Sequence, residues 1–202
     1  MKNRHPQKRL VMNAVSGYGA KEMCETHTTD FCYNEVWGAN NDYGGTSEAG
    51  FANLYDIIKN NDNFSGHTLR TDFAAYMNYG KAGNADKTDK MMNTPGVLLT
   101  DAVMFALGGS HLELGDHMLS REYFPSKTLA MSDELKRAMI RYYDFMTAYQ
   151  NLLRGKSSQN AFTAAVSTSS DRNICAWPPL KNSIVTFAKN VGDKEVVHLL
   201  NF

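Results

Sequence analysis

No apolar run in this 202-residue chain is long enough to cross a bilayer. The basic opening, Met1 to Arg9, leads into only a brief apolar stretch and offers no small-residue cleavage site, so no signal peptide is expected in this chain. Charge imbalance is missing too. Lys plus Arg and Asp plus Glu number 21 each, which removes the electrostatic footprint of a nucleic-acid binder or of a protein held on an anionic membrane. Without a glycine-rich phosphate-cradling loop, a neutral polar partner fits better than a phosphorylated one. The three cysteines, Cys24, Cys32 and Cys175, are odd in number and follow no framework spacing. They read as free thiols that say little about compartment, and Cys24 with His27 has no second pair to complete a zinc site.

What is present is a globular composition, 43% apolar and 21% charged, at a length that can bury a real core. Short apolar runs ending in polar and aromatic clusters alternate with helix-like segments. Strands are expected at 9–15, 31–36, 68–77 and 110–114. Helices are expected at 19–26, at 48–60 with Ser47 as N-cap, at 95–107 behind Thr94-Pro95, and at 133–154 behind Ser132. Phe51, Leu54, Tyr55 and Ile58 give the second helix a core-facing stripe, and Leu135, Ala138, Met139, Tyr142, Tyr143, Phe145, Met146 and Tyr149 are expected on the buried side of the last. Residues 156–182 read as a linker, and 183–189 with 194–200 as a hairpin of different character. The β-α order suits half of an eight-fold barrel, although order alone also allows a doubly wound sheet. Four such strands leave open edges, which suggests a piece of a larger fold and a tendency to self-associate.

Glu35 stands at a strand end between Asn34 and Trp37. Strand alternation turns Tyr33 and Glu35 one way and Asn34 and Val36 the other. An acid desolvated beside Trp37 at a barrel mouth suits a general acid; the plainer reading is a strand-end salt bridge. The run Gly108 to His117 carries His111, Glu113, Asp116 and His117, which are metal-capable but unsupported by any second converging cluster. Polar substrate binding is the preferred reading there, with no metal and no cofactor expected. The aromatic residues near strand ends, Trp37, Tyr76 and Tyr79 among them, suit the apolar faces of sugar rings, or equally an ordinary core.

Several runs together resemble family-66 glycoside hydrolases, the bacterial endo-dextranases and cycloisomaltooligosaccharide glucanotransferases. They are Asn13-Ala14-Val15, Tyr33-Asn34-Glu35-Val36-Trp37, Ala75 to Tyr79, Asn93 to Asp101, Gly108 to His117, and Tyr142 to Arg154. The resemblance runs from about residue 9 to 202. It implies an α/β chain: a partial (β/α)8 TIM barrel, strands five to eight, over 1–155, a linker over 156–182, and the first strands of a β-sandwich domain over 183–202. It implies a retaining enzyme acting on α-1,6-glucan (dextran, isomalto-oligosaccharides), with Glu35 as the acid/base on the sixth strand. The fourth strand and its Asp nucleophile are not in this sequence. Asn34, Trp37, Tyr76, Asn78, Tyr79, His111 and Glu113 are the expected subsite residues. The cyclising transferases carry a binding module between the seventh strand and its helix; here that link is only Gly80 to Asn93, which favours a plain dextranase. A retaining glycosidase needs two carboxyl groups about 5–5.5 Å apart, so this chain by itself is expected to be inactive. The parent enzyme is expected outside the cell or at its surface. The alternatives are a non-enzymatic remnant with residual isomalto-oligosaccharide binding, a fragment of a cyclising transferase, and a metal hydrolase built on His111, Glu113, Asp116 and His117.

Overall fold

A computed structural model of the chain describes residues 3–15, 17–36, 50–75, 91–112, 115–116, 118, 130–154, 158–159 and 173–202. Four strands, β1 (Asn13–Val15), β2 (Cys32–Val36), β3 (Thr71–Ala75) and β4 (Ser110–His111), form a parallel sheet in sequential order. Helices α1 (Ala20–Glu25), α2 (Phe51–Phe64) and α3 (Thr94–Ala106) connect them, followed by α4 (Asp133–Ala148) and α5 (Gln150–Leu153). Period-two alternation decides which side is covered. Cys32, Asn34 and Val36 are buried while Tyr33 and Glu35 between them are half-buried.

Helix α2 buries Phe51, Leu54, Ile58 and Asn61, a stripe at helical spacing. It begins three residues later than its expected start and ends at Phe64; Gly50 is its N-cap, and Ser47 lies outside the described residues. Helix α3 opens as its sequence indicates. Asn93 Oδ1 accepts the Gly96 N–H at 2.7 Å, and Pro95 occupies the first turn. It is apolar nearly all round because it is covered on both sides, by the parallel sheet and by a second sheet. Ser132 Oγ caps α4 through the Leu135 N–H at 3.1 Å. The long last helix breaks at Tyr149 into α4 and α5, and Phe145 and Tyr149, expected in the core, are half-exposed and packed on each other at 4.9 Å. Gly108 and Gly109 are there for close approach. A Cβ on Gly108 (φ +92°) would meet the Leu153 carbonyl at 3.1 Å, and one on Gly109 would meet Ile58 and Phe73 at 3.1 and 3.2 Å.

The second sheet is built on β7 (Ile184–Val191). Strand β8 (Lys194–Asn201) pairs antiparallel along one edge, across the two-residue turn Gly192-Asp193 with Gly192 at φ +62°. The other edge is shared by β5 (Ser158–Gln159) and β6 (Ile174–Cys175). The stretch expected to be a linker therefore contributes two short strands, because the long β7 offers a second hydrogen-bonding edge that short segments can occupy. This sheet docks on the helix layer through Phe51 against Phe202 and Tyr55 against Trp177, with ring centroids 5.1 and 6.0 Å apart, and Phe187 of β7 backs Trp177 at 6.2 Å. A lysine is buried in this docking region. Lys189 is 1% exposed and its Nζ donates to the Leu153 carbonyl at 3.1 Å. Burial, then the Arg70 charge, pushes its ammonium down to about 7. His198, stacked on Phe187, is pushed down to about 3, first by burial and then by Lys189. Among the described residues no helix is long and apolar enough to cross a membrane.

Candidate active site

The helices cover one face of the parallel sheet, and the other carries the polar chemistry. Asn13, Tyr33, Asp72 and Ser110 are in register across the four strands, and one layer nearer the strand ends come Val15, Glu35 and Ala74. Parallel register puts the members of each layer on the same face. Glu35 is half-buried there, and its Oε2 accepts a hydrogen bond from Asn13 Nδ2 at 2.5 Å. Tyr33, one layer below, has its phenol pushed up by burial and then by the negative charge of Glu35. It stays protonated at neutral pH, a neutral neighbour to the carboxyl.

Asp72 is a second carboxylate on this face, but it is committed elsewhere. Arg154 Nη2 donates to Asp72 Oδ1 at 2.7 Å, and Ser110 Oγ donates to the same oxygen. Strand geometry puts its Cα about 8 Å from that of Glu35, one strand over and two residues down. A carboxylate neutralised by an arginine and set back in this way is a structural tie between the sheet and the end of α5, not a nucleophile beside Glu35.

Two residues expected to line the site do not join Glu35. Asn34 is fully buried on the helix-facing side, where its Oδ1 accepts from Asn61 of α2 at 2.7 Å and its Nδ2 donates to the Ala14 carbonyl at 3.5 Å. His111 shares that layer with Asn34 and Phe73. It is 1% exposed, its Nδ1 lies 2.9 Å from Asp101 Oδ1 of α3, and its carbonyl accepts from the Tyr143 hydroxyl. The reason is the same for both. A polar side chain on the covered face must find a partner in the helix layer, and Asn61 and Asp101 supply one. Trp37, Tyr76, Asn78, Tyr79, Glu113 and His117 lie outside the described residues. Asp116 is exposed, 3.8 Å from Lys136, and among the described residues no three metal-capable side chains converge. Reading the sequence by itself passed over Asn13 as a partner of Glu35; its signal was the Asn two residues ahead of Val15, visible only once β1 and β2 are in register.

The sequence profile of Glycosyl hydrolase family 66 matches residues 1–202. The chain belongs to glycosyl hydrolase family 66. Among family relatives, a cycloisomaltooligosaccharide glucanotransferase of Niallia circulans is 38% identical over 114 residues, covering 52% of this chain and 11% of that protein. A dextranase of Streptococcus salivarius is 26% identical over 217 residues, covering 95% of this chain and 26% of its own length. The chain thus spans between about a tenth and a quarter of these curated relatives. The solved structure of a Paenibacillus sp. cycloisomaltooligosaccharide glucanotransferase, complexed with cycloisomaltoheptaose, superposes with a TM-score of 0.77 at 18% identity, covering 98% of this chain and 45% of that one. That likeness extends to the fold.

Proposed function

We propose that this family-66 chain carries the acid/base half of a retaining endo-dextranase centre, with Glu35 as the proton donor and its partner carboxylate on a strand outside these 202 residues. One observation carries the reading. Glu35 is a half-buried carboxyl on the face of the parallel sheet opposite the helices, held by Asn13 near the carboxyl ends of the strands, where a β/α barrel assembles its chemistry. The sequential strand order, with helices on one face, is what strands five to eight of a (β/α)8 barrel look like; a doubly wound sheet reverses its order and is covered on both faces. The second sheet is then the start of a β-sandwich domain.

The substrate is α-1,6-glucan, a neutral polymer in keeping with the balanced charge of the chain. Dextran is too large to cross a membrane, so the parent enzyme works outside the cell or at its surface. Trp37, Tyr76, Asn78, Tyr79 and Glu113 are the subsite residues, while Asn34 and His111 support the strand ends from behind. Hydrolysis is favoured over cyclisation by the link between β3 and α3, residues 76–93, which is far below the roughly 40 residues that an independent module needs.

Acid assistance by a well-placed carboxyl is worth about 10²–10⁴-fold, but covalent catalysis requires the second carboxylate. The chain alone therefore releases no reducing ends from dextran, and robust turnover overturns the assignment. Titration with isomaltotriose separates a binding half-site from an inert remnant: chemical-shift changes at Glu35 support the first, and none anywhere support the second.

A further inference from the structure

Asn13 holds the carboxyl of Glu35, and the contact reaches between strands 22 residues apart in sequence at 2.5 Å. We propose that Asn13 is a positioning residue for Glu35, its side-chain amide fixing the Oε2 oxygen and so holding the carboxyl in the rotamer from which it delivers its proton. This rests on the reading of Glu35 as the acid/base.

The Asn13 side-chain N–H ties one oxygen of the Glu35 carboxyl to the neighbouring strand, and that oxygen can accept in either protonation state of the acid. A flexible glutamate sweeps several rotamers, whereas an acid must meet the glycosidic oxygen within hydrogen-bond reach to transfer its proton in the transition state. Asn13 restricts that sweep from the same face of the sheet, since Asn13 pairs with Tyr33 and Val15 with Glu35.

The anchor is itself held from behind. Asn34 Nδ2 donates to the carbonyl of Ala14, the residue after Asn13, and Asn34 Oδ1 accepts from Asn61, which also donates to Thr71 at 3.0 Å. The buried amides on the covered face thus tie β1, β2 and β3 to α2, and fix on the other face the separation across which Asn13 reaches Glu35. A solvent-facing Asn–Glu contact between two unrelated loops would have no such frame.

The test uses the 202-residue chain, isotopically labelled, in solution. The Asn13 side-chain amide protons are expected to move on acidification together with the Glu35 carboxyl carbon, and this joint movement is lost in Glu35→Gln while the rest of the spectrum is retained. The side-chain couplings of Glu35 are expected to report one rotamer. In Asn13→Leu, which keeps the size of the residue at an exposed position, they collapse to averaged values although thermal melting and isomaltotriose affinity stay as in the parent chain. Asn13→Asp, which replaces the donor with a charge, is expected to drive Glu35 to a different rotamer. Asn13 protons indifferent to Glu35→Gln, or a Glu35 rotamer unchanged in both Asn13 variants, overturn the positioning role. Isomaltotriose shifts that bypass Glu35 overturn the acid/base reading instead, and leave the Asn13–Glu35 hydrogen bond standing.

Discussion

Replacing Lys189 by methionine should reverse the sign of its effect on stability between pH 6 and pH 10. In the folded chain burial, reinforced by Arg70, brings the ammonium from 10.5 down to about 7, whereas the unfolded chain restores the ordinary value. Between those two values the unfolded state binds the proton more readily, so stability rises with pH across the window and the penalty is complete below about pH 7. Converted at 1.36 kcal/mol per pH unit, that penalty is about 5 kcal/mol. The charged groups set against Lys189 are Arg70, which worsens the penalty, and His198, which is neutral in the working range. Methionine keeps the length of the side chain and removes the buried charge, but it strips the Leu153 carbonyl of its donor, at a cost of about 1–3 kcal/mol. At pH 6 the variant should gain about 2–4 kcal/mol, a rise of about 4–16 °C in Tm for a domain of this size. At pH 10 the wild-type amine is largely neutral, and the variant should instead lose about 1–2 kcal/mol through the orphaned carbonyl. Urea unfolding of both chains at the two pH values measures this directly. Parallel pH profiles, or a variant weaker at both, would falsify the account of Lys189 as a desolvated cation.

Three further outcomes follow from particular contacts. His198 has a folded value of about 3 against 6.5 when free, so stability should fall as pH drops from about 6.5 toward 3; His198→Phe should flatten that acid limb in thermal melts, and an unaltered slope speaks against a buried neutral imidazole. Asn61→Leu leaves the Asn34 amide oxygen and the Thr71 hydroxyl without their donor in a dry interior, which should cost about 2–4 kcal/mol in chemical denaturation, while a loss below about 0.5 kcal/mol contradicts the network. Cys24 and Cys32 are fully buried, and the thiol of Cys32 is pushed up by the neighbouring Cys24 and by burial, so a thiol reagent should titrate Cys175 alone until the chain unfolds; rapid labelling of all three in the native state is the contrary result.

The elements that carry local signals were legible from the sequence: the Thr94-Pro95 opening of α3, the Ser132 cap of α4, and the alternation around Glu35. Alternation also implied that Asn34 and Glu35 face opposite ways, yet proximity along the chain drew Asn34 into the expected site. His111 went the same way, because a histidine on a short strand gives no sign of an aspartate ten residues earlier waiting across a helix–sheet interface. The break of the last helix at Tyr149, and the strands within residues 156–182, depend on what those segments pack against.

The sequence by itself determined the order of the first four strands and the helices between them, the acid at the end of β2 and the family to which the motifs belong. Those follow from interactions within a few residues, or from residue identity alone. Tertiary structure decided that Asn13 reaches Glu35, that Arg154 disarms Asp72 across 82 residues, and that Lys189 is buried against Leu153. Such pairings depend on register and on layer packing, where the free energy of burying a charge or an amide is set by a distant partner and leaves no trace in the residues beside it.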